Sequence, residues 1–204
     1  MSVTIEKQSQ PHSQPALAAP ASGIADPAAL GLGAFALTTF LLSLANSGLL
    51  PGAGAAVLGI ALFYGGIAQV AAGLWEFAKG NTFGATAFVS YGAFWLSFWW
   101  LETNPAVAKE AGAAGVGAFL LAWTIFTLFM TVAAIKTNGA LLAVFVVLTL
   151  TFAALSIGEF SGQVGVTRLA GWLGLLTAVL AWYSAAAVVI NATWKRAVLP
   201  VWPR

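Results

Sequence analysis

The charged residues of this chain are spaced so that long uncharged runs lie between them. These runs cover residues 27–75, 80–101, 111–135, 137–158 and 169–194. A helix needs about 20 apolar residues to cross a bilayer, so every run is long enough for one span and the first for two. Only 7% of the residues are charged and 60% are hydrophobic, whereas about a quarter are charged in soluble domains. The sequence therefore predicts a membrane protein.

A proline and two glycines in LLPGAG, residues 49–54, predict a turn that divides the first run into two helices. The fold class is then all-α, with transmembrane helices near residues 28–49, 54–78, 83–101, 112–135, 139–160 and 168–191. A β-barrel would also satisfy the backbone in lipid, but runs such as LLAVFVVLTLTFAAL lack the alternation of barrel strands. We expect a six-helix transmembrane domain over residues 28–195, a disordered N-terminal cytoplasmic tail over 1–27 and a short cytoplasmic C-terminal tail over 196–204.

The basic residues near the span ends indicate an orientation. With six spans both termini share one side, and most of the basic residues fall on it: Lys7, Lys79, Lys136, Lys195, Arg196 and Arg204. Lys109 and Arg168 fall on the other side. Because basic residues favour the inside, we expect cytoplasmic termini in an inner or plasma membrane. The net charge of +2 belongs to these flanking residues and offers no basic patch for nucleic acid.

A short match suggests an internal repeat. GLGAF at residues 31–35 recurs as GVGAF at 115–119, which carries helix one onto helix four. Because three helices separate the copies, the second half would be inverted, as in many transporters. The alternative is a chance match in a chain rich in alanine, glycine and leucine. A 3+3 inverted repeat is therefore a hypothesis.

The composition disfavours covalent and metal chemistry. The chain has no cysteine, and its single histidine, His12, lies in the polar N-terminal tail. The predicted spans contain no histidine, cysteine or aspartate, so they lack the usual metal ligands and nucleophile–base pairs. We expect no enzyme activity, no metal and no cofactor.

Neutral polar side chains recur at membrane depth, and they include Thr38, Thr39, Asn46, Gln69, Thr82, Thr86, Ser90, Tyr91, Thr124, Thr149 and Thr151. They either bond to neighbouring helices and the preceding turn or line a narrow pore. No lysine or arginine lies in mid-membrane, so a bound anion would meet only neutral donors. A small carboxylate or an uncharged solute fits such a pore better than a phosphate.

Three acids lie at predicted span ends, and each has two interpretations. Glu76 shares a helix face with Gln69 and either holds the helix junction or contributes to a solute pathway. Glu102 is expected to be solvated. Glu159 is interfacial or points inward, where a buried carboxyl could link solute movement to protons.

Several long segments resemble the acetate uptake transporter family, which includes bacterial succinate-acetate permeases and yeast relatives linked to acetate and ammonia. They are DPAALGLGAFALTTFLL at 26–42, FYGGIAQVAAGLWEFAKGNTFGATAFVSYGAFW at 63–95, FTLFM at 126–130 and AGWLG at 170–174. The resemblance implies six helices, cytoplasmic termini and a homo-hexamer with a separate pathway through each protomer.

The family signature Asn-Pro-x-Pro-Leu-Gly-Leu is altered here at two positions. The motif residues of this chain are Asp26, Pro27, Ala29, Leu30, Gly31 and Leu32. Asp26 replaces the asparagine, which keeps an acceptor for capping but adds a negative charge. Ala29 replaces the second proline. We expect the added charge to repel an anion at the pathway mouth.

The resemblance also implies site residues. The narrow point of the pathway would be formed by Phe35, Tyr91 and Leu148, with the Tyr91 hydroxyl offering a donor. From the residues themselves, we expect polar contacts from Thr38, Gln69, Thr86 and Ser90. We also expect Glu76 to support the helix junction, and Asn81 and Thr82 to cap helix three.

The implied function is a transporter or channel for short carboxylates in the lipid bilayer, acetate first and succinate second, linked to protons. The alternatives are a channel for uncharged solutes such as urea, ammonia or acetic acid, and a membrane sensor that transports nothing.

Overall fold

Six helical rods follow one another in the computed structural model, which describes residues 23–203. They are α1 (Ala28–Asn46), α2 (Ala53–Lys79), α3 (Thr82–Thr103), α4 (Pro105–Ala134), α5 (Gly139–Ser161) and α6 (Val164–Trp194). Within residues 23–203 no strand forms, and one isolated bridge joins Asn138 to Pro203. The all-α prediction is confirmed. His12 and most of the predicted N-terminal tail lie outside the described residues.

The second rod contains a π-helical segment that the sequence did not predict. Its ends, Ala53–Ile60 and Gln69–Lys79, are α-helical, and the middle, Ala61–Ala68, is a π-helix. Gly65 lies in this π-segment, where a Cβ would come within 2.6 Å of the Thr38 hydroxyl on α1. Such segments recur at functional sites. Here the segment ends immediately before Gln69, a buried polar residue.

The fourth rod is broken at Gly112, where the backbone has φ 56° and ψ −175°. This left-handed region strongly favours glycine. The predicted helix began at residue 112, and the structure adds a short helical stretch from Pro105 to the break. Proline is favoured at a first helical position because its missing N–H would have no partner there.

Glycines of α6 allow a close approach to α1. A Cβ on Gly171 would overlap the backbone at Asn46 and Ser47, and one on Gly174 would overlap the Ser43 hydroxyl. Small residues at such crossings let helix backbones come into contact. The other main contacts join α5 to both α4 and α6, and α2 to α3.

The outer surface of the bundle is apolar. Phe63, Ile125 and Val132 are each more than 60% exposed. Five of the rods, α1, α2, α4, α5 and α6, are long and apolar enough to cross a membrane. The remaining rod, α3, has 22 residues and packs along α2. That all six rods span the membrane stays a prediction, as does the inverted repeat.

The C-terminal segment folds back onto the bundle. The Gly139 N–H, at the start of α5, donates to the Trp202 carbonyl at 2.8 Å. The Tyr183 hydroxyl donates to the Pro200 carbonyl at 2.6 Å, and Asn191 Oδ1 accepts from Val198 N–H at 2.7 Å. These bonds fix the segment beside the ends of α5 and α6.

Candidate functional site

Four cavities form a row along the inside of the bundle, called the route here. The terminal vestibule, of about 420 Å³, lies at the end that carries Asp26 and Val201. The Glu76 cavity, of about 70 Å³, and the Trp95 cavity, of about 30 Å³, follow in mid-bundle. The Glu159 vestibule, of about 290 Å³, lies at the opposite end, where α1, α3 and α5 end. A water needs roughly 10–15 Å³, so the two middle cavities admit only a few small molecules.

Neighbouring cavities share lining residues, which places them side by side. The terminal vestibule and the Glu76 cavity share Leu32 and Asn81, among others. The Trp95 cavity and the Glu159 vestibule share Asn46 and Phe94, among others. Of the residues that the structure describes, only two line both middle cavities.

Those two residues are Phe35 and Leu148. Both are buried, and they form an apolar wall between the Glu76 and Trp95 cavities. The Tyr91 ring lies beside this wall, with its centroid 5.7 Å from the Phe35 ring, and it lines the Glu76 cavity. The three residues that the resemblance assigned to the narrow point are therefore neighbours in the bundle.

The Tyr91 hydroxyl does not offer a free donor to the route, contrary to expectation. It donates to Thr127 Oγ1 on α4 at 3.0 Å, and the Thr127 hydroxyl donates to the Trp123 carbonyl at 2.7 Å. Both side chains are buried. The hydroxyl group anchors α3 to α4, so the tyrosine faces the route with its ring.

Buried polar atoms without a hydrogen-bond partner collect in the two middle cavities. Within residues 23–203 there are four such atoms: Gln69 Oε1 and Glu76 Oε1, on residues that line the Glu76 cavity, and Thr39 Oγ1 and Trp95 Nε1, on residues that line the Trp95 cavity. An unpaired buried polar group costs about 1–3 kcal/mol. A polar molecule in either cavity would offset that cost by bonding to these atoms.

Glu76 bonds across the helix junction and also lines a cavity, so the structure agrees with both interpretations of this residue. Its Oε2 accepts from Asn81 Nδ2 at 2.9 Å, which ties the end of α2 to the start of α3. Its Oε1 has no hydrogen-bond partner, and the residue lines the Glu76 cavity. Asn81 Oδ1 accepts from Gly84 N–H at 3.1 Å and caps α3. Thr82, the other predicted cap, is exposed at the first helical position, so Asn81 alone caps this end.

Asp26 is paired, which corrects the expected repulsion of anions. Lys79 Nζ lies 2.8 Å from Asp26 Oδ1, and the same oxygen accepts from Ala28 N–H at 3.1 Å. Its capping function is thus retained at the start of α1. The other motif residues lie close by: Gly31 packs against the Phe88 ring, and Leu32 lines two cavities, whereas Leu30 is exposed.

Three predicted polar contacts lie away from the four cavities. The Thr38 hydroxyl donates to the Ala34 carbonyl at 2.8 Å and packs over Gly65. Thr86 and Ser90 are half-buried on α3 and line none of these cavities. Thr86 and Ser90 therefore lie on another face of α3 from Tyr91.

Sequence reasoning missed Trp95 as a site residue and did not separate Thr39 from Thr38. Trp95 is 2% exposed inside α3. A tryptophan in mid-span needs a partner for its indole N–H, and this was the available signal. Glu102 and Glu159 both line the Glu159 vestibule. Within residues 23–203 no three metal-ligating side chains come together.

Comparisons with known proteins agree with this architecture. A solved structure entitled "Structure of the bacterial acetate channel SatP" superposes with a TM-score of 0.84 and 43% identity, covering 87% of this chain and 99% of that chain. The "Succinate-acetate/proton symporter SatP" of Escherichia coli (strain K12) is 43% identical over 180 residues, 87% of this chain and 95% of that protein.

A yeast relative is longer than this chain. "Accumulation of dyads protein 2" of Saccharomyces cerevisiae is 47% identical over 183 residues, which are 84% of this chain but 63% of that protein. The chain therefore spans less than two thirds of this relative's length.

A family model matches nearly the whole chain, over residues 7–203. Together with the apolar rods, these likenesses make the chain a multi-pass membrane protein and confirm the resemblance found in its sequence. The chain belongs to the GPR1/FUN34/yaaH family.

Proposed function

We propose that this protein conducts short carboxylates across a membrane, acetate first and succinate second, through the route inside each protomer. The observation that supports this most directly is the pairing of an apolar wall with unpaired polar atoms on both of its faces. The wall is Phe35 and Leu148, and the atoms belong to residues that line the two cavities that it separates. The likeness to SatP proteins, whose names state acetate and succinate, agrees with this function.

The apolar and polar ends of acetate match the apolar wall and the hydrogen-bond donors beside it. Its methyl group can contact the apolar wall, while its carboxylate accepts hydrogen bonds from donors beside the wall. The indole N–H of Trp95 and the hydroxyl of Thr39 are such donors. Neutral donors bind an anion less tightly than arginine or lysine, which favours rapid release over retention.

Glu76 supplies a reason for proton linkage. Glu76 lines the cavity and its Oε1 has no partner; an ionised carboxylate there would repel acetate, and a protonated carboxyl group would donate to it. Acetate passage would then be favoured when Glu76 carries a proton. Glutamine at this position would imitate the protonated form permanently.

The assembly and topology belong to the same proposal. In the proposed homo-hexamer, each copy would hold its own route. Six spans would place both termini in the cytoplasm of a cell with the protein in its inner or plasma membrane. The protein would act without covalent chemistry.

Uptake of labelled acetate by proteoliposomes, with pH and membrane potential set independently, tests this function. We expect saturable uptake that responds to potential at fixed pH, because an anion moves. Uptake that follows only the concentration of undissociated acid would favour a channel for uncharged solutes. Uptake equal to that of protein-free vesicles would favour a sensor. Glu76→Gln should reduce the dependence on a pH gradient while retaining uptake.

A further inference from the structure

We propose that Asp26 and Lys79 form a specificity-determining pair that makes the terminal vestibule favour monocarboxylates over dicarboxylates. This inference rests on the proposed function and concerns the mouth of the route rather than its narrow point. Asp26 neutralises a cation that would otherwise attract anions in proportion to their charge. The pair thereby sets the order of acetate before succinate.

Lys79 is the only lysine or arginine, within residues 23–203, among the residues that line the four cavities of the route. Asp26 lines the same vestibule, and its Oδ1 lies 2.8 Å from Lys79 Nζ. The side chains are 27% exposed for Lys79 and 42% for Asp26, so an entering solute meets both. The remaining polar lining of the vestibule is neutral: Asn81, Thr137, Asn138, Ser184 and Asn191.

The two charges are held by different helices. Asp26 Oδ1 also accepts from Ala28 N–H, which fixes the carboxylate at the start of α1. Lys79 lies in the last turn of α2. Glu76, one helical turn before Lys79, is fully buried and bonded to Asn81. The ammonium group therefore has one carboxylate partner at the mouth, and that partner is held in place by the backbone.

Coulomb energy is proportional to the product of the charges. A free ammonium at the mouth would therefore attract the succinate dianion about twice as strongly in energy as the acetate monoanion. Since energy enters affinity exponentially, any fold-change in KM for acetate becomes roughly its square for succinate. With Asp26 in place the pair is neutral, and this advantage of the dianion is lost.

Initial uptake rates at neutral pH and low ionic strength test the pair. Asp26→Asn keeps the shape of the side chain and should lower KM about two- to threefold for acetate and about four- to ninefold for succinate. Lys79→Gln leaves Asp26 unpaired and should raise both KM values. The increase should be larger for succinate than for acetate. The double variant is neutral again, so its ratio of KM values should return to the wild-type value.

Salt and a matched control separate this effect from a loss of structure. The changes in KM should become smaller in about 0.5 M salt because the Debye length then falls to a few ångströms. Lys136→Gln removes the same charge at the same end of the bundle, from an exposed residue that lines none of the four cavities. This variant should leave the ratio of KM values unchanged.

Several outcomes would overturn the proposal. One is an equal change in both KM values for Asp26→Asn or Lys79→Gln, and another is a loss of thermal stability with no change in the ratio. If Asp26→Asn does not fold, the change in the ratio of KM values in Lys79→Gln tests the proposal by itself. If wild-type vesicles take up acetate normally and the ratio of KM values is the same in the variants as in the wild type, only the role of the pair is contradicted. Wild-type vesicles that take up no carboxylate contradict the proposed function itself.

Discussion

The Tyr91 hydroxyl donates to Thr127 Oγ1 at 3.0 Å and so joins α3 to α4 beside the narrow point of the route. The bond directs the Tyr91 ring edge-on against Phe126, with ring centroids 5.5 Å apart and planes at 82°. It also holds the ring against Phe35. The hydroxyl positions the ring, and the ring narrows the Glu76 cavity.

Removing that hydroxyl should therefore change stability more than transport. Tyr91→Phe loses one buried hydrogen bond, for an expected cost of about 1 kcal/mol, and acetate uptake should stay within about twofold of wild type. Thermal unfolding in detergent and vesicle uptake measure the two effects. Thr127→Val also loses the bond to the Trp123 carbonyl and leaves the buried Tyr91 hydroxyl unpaired, so it should cost more than Tyr91→Phe, about 1–3 kcal/mol. A tenfold loss of uptake by Tyr91→Phe at unchanged stability would show that the hydroxyl meets the solute.

The indole N–H of Trp95 should bind the carboxylate in the Trp95 cavity. Trp95→Phe removes an unpaired buried donor, and the KM for acetate should rise about three- to tenfold. Trp100→Phe is the matched control because Trp100 lies on the same helix and is 52% exposed. An unchanged KM in Trp95→Phe would mean that the solute passes without contacting this group.

Asn81 should be the most sensitive side chain at the α2–α3 junction. Asn81→Ala removes the cap of α3 and leaves the second oxygen of Glu76 unpaired, for an expected loss of roughly 2–4 kcal/mol. The exposed neighbour Thr82 provides the control, and Thr82→Ala should cost less than about 0.5 kcal/mol. Unfolding temperatures that fall equally for both variants would contradict the assigned cap.

The close crossing of α1 and α6 should tolerate no side chain at Gly171. Gly171→Ala places a Cβ into the backbone at Asn46 and Ser47, where no flexible group can move aside, so stability should fall by about 1–3 kcal/mol. A Cβ at Gly165 of the same helix meets nothing within 4 Å. Gly165→Ala should be neutral or stabilising by up to about 1 kcal/mol. Equal unfolding temperatures for the two variants would refute this crossing.

The order and type of the helices could be predicted because charge spacing and apolar length are local properties. The π-segment before Gln69 could not, since it depends on how Gly65 fits against Thr38 of another helix. The N-terminal extension of α4 was missed because it carries Lys109 and Glu110, which interrupt the apolar pattern used to locate spans.

The site could be predicted in part. Phe35, Tyr91 and Leu148 came from family resemblance and lie together, and Gln69 and Glu76 face one cavity. Thr38 and Thr39 are adjacent polar residues that the sequence cannot distinguish, yet one packs against Gly65 and the other faces the Trp95 cavity. The pairing of Asp26 with Lys79 joins residues far apart in the chain, so composition alone suggested repulsion at the mouth.

The most direct test of the account is the acetate uptake of a variant with an enlarged side chain at the apolar wall. Leu148→Trp should fill the space between the two middle cavities and lower uptake at least about tenfold. Leu150→Trp makes the same change on the outer face of the same helix, where Leu150 is 51% exposed, and should stay within about twofold of wild type. With both variants folded and reconstituted equally, normal uptake by Leu148→Trp would contradict a route between Phe35 and Leu148.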